Sequence, residues 1–333
     1  MTPGSSRSAL PELTGAHAVG VSRQVFRSDS GSAKTSIYYP AEPDANASPV
    51  AYVWDADVLA PALERFFAKV PARLDISALR RMRAHAVADA RPLRRTGGFP
   101  VVLFSHGRGA ALVQNVTRTE DLASHGYVVA GIEHPGSTFA TVLPEGIVRF
   151  DEGLSDEERV RRMAEEVRSA LDELPRLAGS LGLSIDVGRV GHLGRAFGGA
   201  VGVAAALADD RIAATANLGG ILVGEPAATA RPYLQLNHDA VADLNRDYCA
   251  RTAGPAYLAH IAGTGSTSFS DTPYLPWLEH PPARFSGPID RDRAARIVGE
   301  IVAGFFDQHL RNGDPISSVA GRYSEVTLDA WRA

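Results

Sequence analysis

Between residues 99 and 261 the chain keeps returning to one pattern: a short strand-like run, then a turn or a segment of helical spacing. The runs are residues 99–104, 127–132, 189–193, 213–218, 233–236 and 256–261. The first of these is almost wholly apolar and rich in Val, which is how a strand covered on both faces reads. Helical stretches are expected from beyond Gly109 to about Ser124, across 152–181 with a break near Pro175, and across 197–208 and 291–309. Strands alternating with helices predict an α/β fold on a doubly wound, mostly parallel sheet.

The flanks are read in the same way. Residues 19–26 and 34–39 alternate as a strand pair, with 28–32 as their turn. Residues 55–89 read mainly as helix, with Leu59, Leu63, Phe66, Phe67 and Val70 at helical spacing, and suggest a lid or flanking insertion beside Trp54. The expected organisation is a loose arm over 1–18, one domain over 19–312 with its helical insertion at about 55–90, and a C-terminal extension over 313–333.

Composition excludes several classes. The chain has 333 residues and a formal charge of −4, with Lys scarce beside Arg, so no nucleic-acid footprint is expected. Apolar runs such as 200–208 are too short to span a bilayer, and residues 1–20 lack an apolar leader core, so a cytoplasmic location is expected. Cys249 is the single cysteine, which excludes an internal disulfide and a Cys-based zinc site and suggests a buried free thiol. No His, Asp and Glu spacing suggests a metal, and no cofactor is implied. Oligomeric state is left open.

Three segments carry the chemistry. The first is Phe99-Pro100-Val101-Val102-Leu103-Phe104-Ser105-His106-Gly107, a strand ending in Ser-His-Gly. The second is Leu122-Ala123-Ser124-His125-Gly126-Tyr127-Val128-Val129, followed by Glu133-His134. The third, Gly194-Arg195-Ala196-Phe197-Gly198-Gly199, follows a strand and opens a helix. In their order and setting these segments resemble the α/β-hydrolase superfamily, and within it the platelet-activating-factor acetylhydrolase branch and its dienelactone-hydrolase-like relatives. The third segment stands where that family places a Gly-x-Ser-x-Gly nucleophile turn.

The resemblance implies that all three catalytic positions are altered. Ala196 stands at the nucleophile position, and a methyl group cannot attack an acyl carbon. Gly219, in Asn217-Leu218-Gly219-Gly220, takes the place of the acid, and Ser266, three residues before Phe269 of Phe269-Ser270-Asp271, takes the place of the His. Losing one member of such a triad typically costs ~10⁴ to ~10⁶ in turnover, and losing the rest adds little. The resemblance also implies an oxyanion pocket formed by the backbone N–H groups of Arg108 and Phe197.

Other polar residues have two readings each. Arg195 either binds an anionic group or pairs with an acid such as Glu133. Glu133, His134 and His238 end strands at the carboxyl edge of the sheet, where ligands bind in such folds, and His134 and His238 are candidate bases. His106, His192 and His260 read as structural. Phe66 and Phe67 are candidate walls of an apolar site. The expected function is a non-hydrolytic enzyme that takes a largely apolar small molecule through cyclisation, rearrangement or elimination, a cyclase or lyase of specialised-metabolite biosynthesis. The alternatives are an esterase- or lipase-like hydrolase with displaced residues, drawing on Ser105, Ser137, Ser266 or Ser268, and a small-molecule-binding protein without chemistry.

Overall fold

All seven residues of Phe99–Ser105 are buried, because this strand is covered on both faces. Val101 and Leu103 join one apolar layer with Met163 and Val167, while Val102 and Phe104 join the other with Val298 and Ile301. The period of two along the strand thus builds both layers at once. The structure, a computed structural model, describes residues 10–44, 46–68, 72–279 and 282–332.

The strands are β1 (Ala18–Ser28), β2 (Gly31–Ala41), β3 (Pro49–Ala51), β4 (Arg73–Leu74), β5 (Arg83–Ala88), β6 (Phe99–Ser105), β7 (Val128–Glu133), β8 (Ala140–Leu143), β9 (Gly146–Arg149), β10 (Ile185–Arg195), β11 (Ile212–Leu218), β12 (Tyr233–Asn237), β13 (Ala256–Ile261), β14 (Trp277–Glu279) and β15 (Val326–Trp331). The helices are α1 (Ala56–Phe67), α2 (Ile76–Arg81), α3 (Val116–Ser124), α4 (Asp156–Ser180), α5 (Phe197–Ala208), α6 (Arg246–Arg251), α7 (Arg291–Arg311) and α8 (Ile316–Ala320). Eleven strands form one sheet in the order β15-β13-β12-β11-β10-β6-β7-β2-β1-β5-β3, and β4 with β14 and β8 with β9 make two small ribbons. The block from β13 to β7 is parallel. The chain leaves β6 toward β7 on one side and returns to β10 on the other, so the carboxyl ends of β6 and β10 flank a topological switch point, where a crevice opens.

Several expectations need correction. The 55–89 segment is only partly helical: α1 and α2 are there, but β5 joins the main sheet beside β1. Its Ala84 and Ala86 are buried and Arg83 is exposed, a period of two that small residues and a His disguise in the sequence. Val70 lies outside the described residues. The long helix α4 does not break at Pro175, since the buried stripe Met163, Val167, Leu171, Leu174 and Leu177 continues past it and its packing outweighs the lost backbone bond. Beyond 313, β15 pairs antiparallel with β13 and extends the sheet. Of the expected arm, residues 1–9 lie outside the described residues, while residues 10–18 are docked: Leu10 is buried and Thr14 donates to Asp121.

The turn between β10 and α5 is tight. Ala196 has φ 50° and ψ −121°, a left-sided conformation that a residue with a Cβ adopts at a cost of roughly 1–3 kcal/mol. Its N–H donates to the Leu218 carbonyl (2.9 Å) and its carbonyl accepts from Gly199 (2.9 Å), which pins it there. A Cβ on Gly198 would fall on the Ser105 carbonyl oxygen, far inside contact distance. Gly198→Ala is therefore expected to cost about 3 kcal/mol or more. Gly179→Ala, with nothing near its added methyl, is expected to gain up to about 1 kcal/mol. Urea unfolding midpoints of the two variants check the contrast.

Candidate active site

The carboxyl ends of β6 and β10 and the start of α5 bound a cavity of about 480 Å³. Gly107 and Arg108 come from the loop after β6, Arg195, Ala196 and Phe197 from the turn, and Phe66 and Phe67 from α1. Gln114, Asn115, Thr267, Ser270 and Thr272 complete the wall. Clefts of about 610, 720 and 860 Å³ lie elsewhere, and none is lined by the ends of β6 or β10.

At the tip of the turn the Ala196 methyl faces Gly107, and a Cβ on Gly107 would lie 3.4 Å from it. The residue at the tip itself carries no side-chain oxygen. Among the described residues no acceptor meets the backbone N–H of Arg108, and Phe197 is the first residue of α5, whose N–H has no partner one turn back. Both residues line the cavity. The Arg108 side chain leaves the site to pair with Asp156 at 2.8 Å and to lie over Phe150. Phe66 and Phe67 meet edge to face with centroids 5.1 Å apart, and Phe67 packs on Trp277, so α1 supplies a fixed apolar wall.

Arg195 lies at the cavity and does not pair with Glu133. Its guanidinium donates to the carbonyls of Leu218 (3.3 Å) and Ser266, and its Nε–H is buried with no acceptor. Burial lowers its pKa to about 10, which leaves it charged at neutral pH. Glu133 is buried at the end of β7, in register with Lys34, and desolvation pushes its carboxyl up to about 7. It does not line the cavity.

The two candidate bases are not at the cavity wall either. His238 sits beside Gly219, edge-on to Phe269, and its Nδ1 has no partner. Burial, then the Arg195 charge, lowers it to about 4, so it is neutral at pH 7. Gly219 takes φ 63° there, and a Cβ on it would lie 3.4 Å from the His238 ring. Of Ser266, the carbonyl holds Arg195. Asp271 accepts from Thr117 N–H and from the Tyr52 hydroxyl, both at 3.1 Å, and so ties the loop carrying Thr267 and Thr272 to the start of α3.

Below the turn lies a sealed polar cluster. Ser105 Oγ is 3.0 Å from His134 Nε2 and 2.9 Å from His192 Nε2, and His134 Nδ1 is 2.6 Å from Glu166 Oε2. Ser105, His134 and His192 are fully buried. Burial lowers His106, His134 and His192 to about 3 and raises Glu166 to about 8, so the cluster is neutral at pH 7. Among the other serines considered, Ser137 Oγ accepts from Arg159 and Ser268 Oγ donates to the Ser286 carbonyl. His260 pairs with Asp239 at 2.9 Å. Cys249 is free and buried.

Gln114 and Asn115 were missed in the sequence because the helix was expected to begin soon after Gly109, whereas a 3₁₀ turn over Leu112–Asn115 precedes α3. No pattern pointed to Glu166 as the partner of His134, since it lies one residue among several acids on α4.

Similarity to known proteins agrees with this fold. The family described as platelet-activating factor acetylhydrolase, isoform II, matches residues 2–160. The platelet-activating factor acetylhydrolase of Canis lupus familiaris is 27% identical over 148 residues, a match that covers 40% of this chain and 30% of that protein. A ferulic acid esterase from Streptomyces cinnamoneus superposes with a TM-score of 0.77 at 26% identity, covering 96% of this chain and 98% of the esterase. The chain belongs to the α/β-hydrolase superfamily. Within it, the chain is platelet-activating-factor-acetylhydrolase-like. For this hydrolase fold, no described helix is long and apolar enough to cross a membrane.

The sealed histidines make a pH prediction. The folded pKa of His192 lies near 3, below its unfolded value of 6.5, so the unfolded chain binds the extra proton between those values. Stability from this group is present above pH 6.5 and lost as pH falls toward 3. His192→Gln should lower stability at pH 7, and its deficit against the parent should shrink by about 2 kcal/mol on moving to pH 4.5. Urea unfolding at the two pH values checks this.

Proposed function

We propose that this protein binds a carbonyl-bearing, largely apolar small molecule in the cavity at the β10–α5 turn and polarises it without forming an acyl-enzyme. The observation that carries the reading is Ala196 at the tip of the turn, a methyl group, while the hydroxyls on the same wall, Thr267, Ser270 and Thr272, bond to Phe285, Ser286 and one another and, among the described residues, to no imidazole. Gly219 and Ser266, at the positions the family resemblance assigns to the acid and the base, supply no carboxylate and no imidazole. The donors that would face a developing oxyanion, Arg108 N–H and Phe197 N–H, are retained. Two fixed amide dipoles in an apolar site stabilise an enolate or alkoxide as readily as a tetrahedral intermediate. Cyclisation, rearrangement or elimination then follows from holding a reactive molecule in one geometry away from water.

Ester hydrolysis by displaced residues is the second reading, and the relatives favour it. Both named relatives are ester-cleaving enzymes by their names, and one superposes along nearly the whole chain. Ser105, His134 and Glu166 also form a hydrogen-bonded Ser-His-Glu series. Against it stands burial: Ser105 is fully enclosed, inside a strand, and does not line the cavity. A substrate carbonyl would have to pass the turn to reach it.

The decisive experiment combines turnover of p-nitrophenyl butyrate and methyl ferulate with labelling by a fluorophosphonate. No turnover above buffer and no serine adduct is expected, and Ala196→Ser alone should stay below ~10⁻³ of a competent esterase because the acid and base remain absent. Turnover in the parent that Ser105→Ala abolishes would establish the second reading in its place.

A further inference from the structure

We infer that the ligand of this cavity enters as a carboxylate anion, received by the Arg195 guanidinium. The inference rests on the reading of the cavity as the ligand site and adds the chemical class of what it takes.

A guanidinium carries five N–H donors and no acceptor. In Arg195, two donors are spent on the backbone carbonyls of Leu218 and Ser266, which are neutral. The Nε–H is buried without an acceptor. No Asp or Glu lines the cavity, and among the described residues no carboxylate pairs with Arg195. The other cation at the wall, Arg108, is compensated by Asp156. The cavity therefore keeps one uncompensated positive charge against a largely apolar wall. A charge in such a setting is costly unless an opposite charge meets it.

The backbone adds to the same polarity. The N–H groups of Arg108 and Phe197 border the cavity beside Arg195, and α5, a helix of 12 residues, begins at this point. A carboxylate offers two oxygens, enough to accept from the guanidinium and from a backbone amide together. Asn115 is a second incomplete group at the wall: it is 2% exposed, its Nδ2 donates to the Ala111 carbonyl, and its Oδ1 meets no donor. A carboxylate meets the cationic group but not the accepting one, so Asn115 Oδ1 calls for a donor elsewhere on a ligand whose apolar body lies on Phe66 and Phe67.

Calorimetric titration of the parent protein with 3-phenylpropionate and with its neutral isostere 3-phenylpropionamide tests the inference. The carboxylate is expected to bind at least tenfold more tightly than the amide, and Arg195→Gln should remove that preference while circular dichroism shows an unchanged fold. Equal or tighter binding of the amide, binding of neither probe, or carboxylate affinity in Arg195→Gln within twofold of the parent overturns it. The comparison on the parent decides the matter even where the variant does not fold. Amide binding without carboxylate preference sinks this inference alone. Ester turnover in the preceding experiment sinks the non-hydrolytic reading and leaves the charge preference standing.

Discussion

The contact between Gly198 and the Ser105 carbonyl sets the rest of the site. It allows α5 to start directly over the end of β6, and nothing larger than hydrogen fits between them. The same approach brings Gly107, Ala196 and Phe197 to one edge of the sheet and fixes the cavity there. Ala196 accepts a strained backbone as a result, held by its bonds to Leu218 and Gly199. The strain does not require a nucleophile, only neighbours that leave the chain no easier path.

That constraint also divides the polar residues into two zones with different electrostatics. Below the turn, Ser105, His134, His192 and Glu166 are hydrogen-bonded in series, His106 bonds the backbone of Gly107 and His134, and burial disfavours the charged form of each titratable group there. Above it, Arg195 keeps its charge and finds only carbonyls. A neutral, internally bonded cluster gains little from a ligand, whereas an uncompensated cation gains much. On the proposed reading the functional weight falls on the upper zone, although the lower one holds the residues most often associated with catalysis.

Much of this was legible in the sequence, and the physical reasons are specific. Strands β6, β11 and β13 were clear because two-sided burial demands continuous apolar residues. Strand β5 was not, because its one β-branched residue, Val87, stands among Arg83, His85 and three alanines, and the pairing with β1 is long-range. Edge strand β15 is half exposed and its pairing with β13 is long-range, so it reads as an extension. Ala196, Arg195, Phe66 and Phe67 were placed at the site by local motif and spacing. His134 was placed at the right end of the right strand but on the wrong side of the turn. Which side a strand-end side chain takes depends on Glu166, 32 residues away on α4, and no local pattern contains that pairing.

Family membership and local chemistry speak to different parts of the chain. The family match ends at residue 160, before Gly194, Ala196, Gly219 and Ser266, so it describes the half that does not carry the expected triad positions. The esterase superposition does extend across them, but a superposition compares backbones, and the β10–α5 turn has the same backbone whether its tip bears a hydroxyl or a methyl. Fold similarity thus accounts for the pocket, its amide donors and its apolar wall. The reaction depends on the side chains placed in that frame. Here those are a methyl group and an unpaired arginine, a combination that suits holding an anion better than attacking an ester.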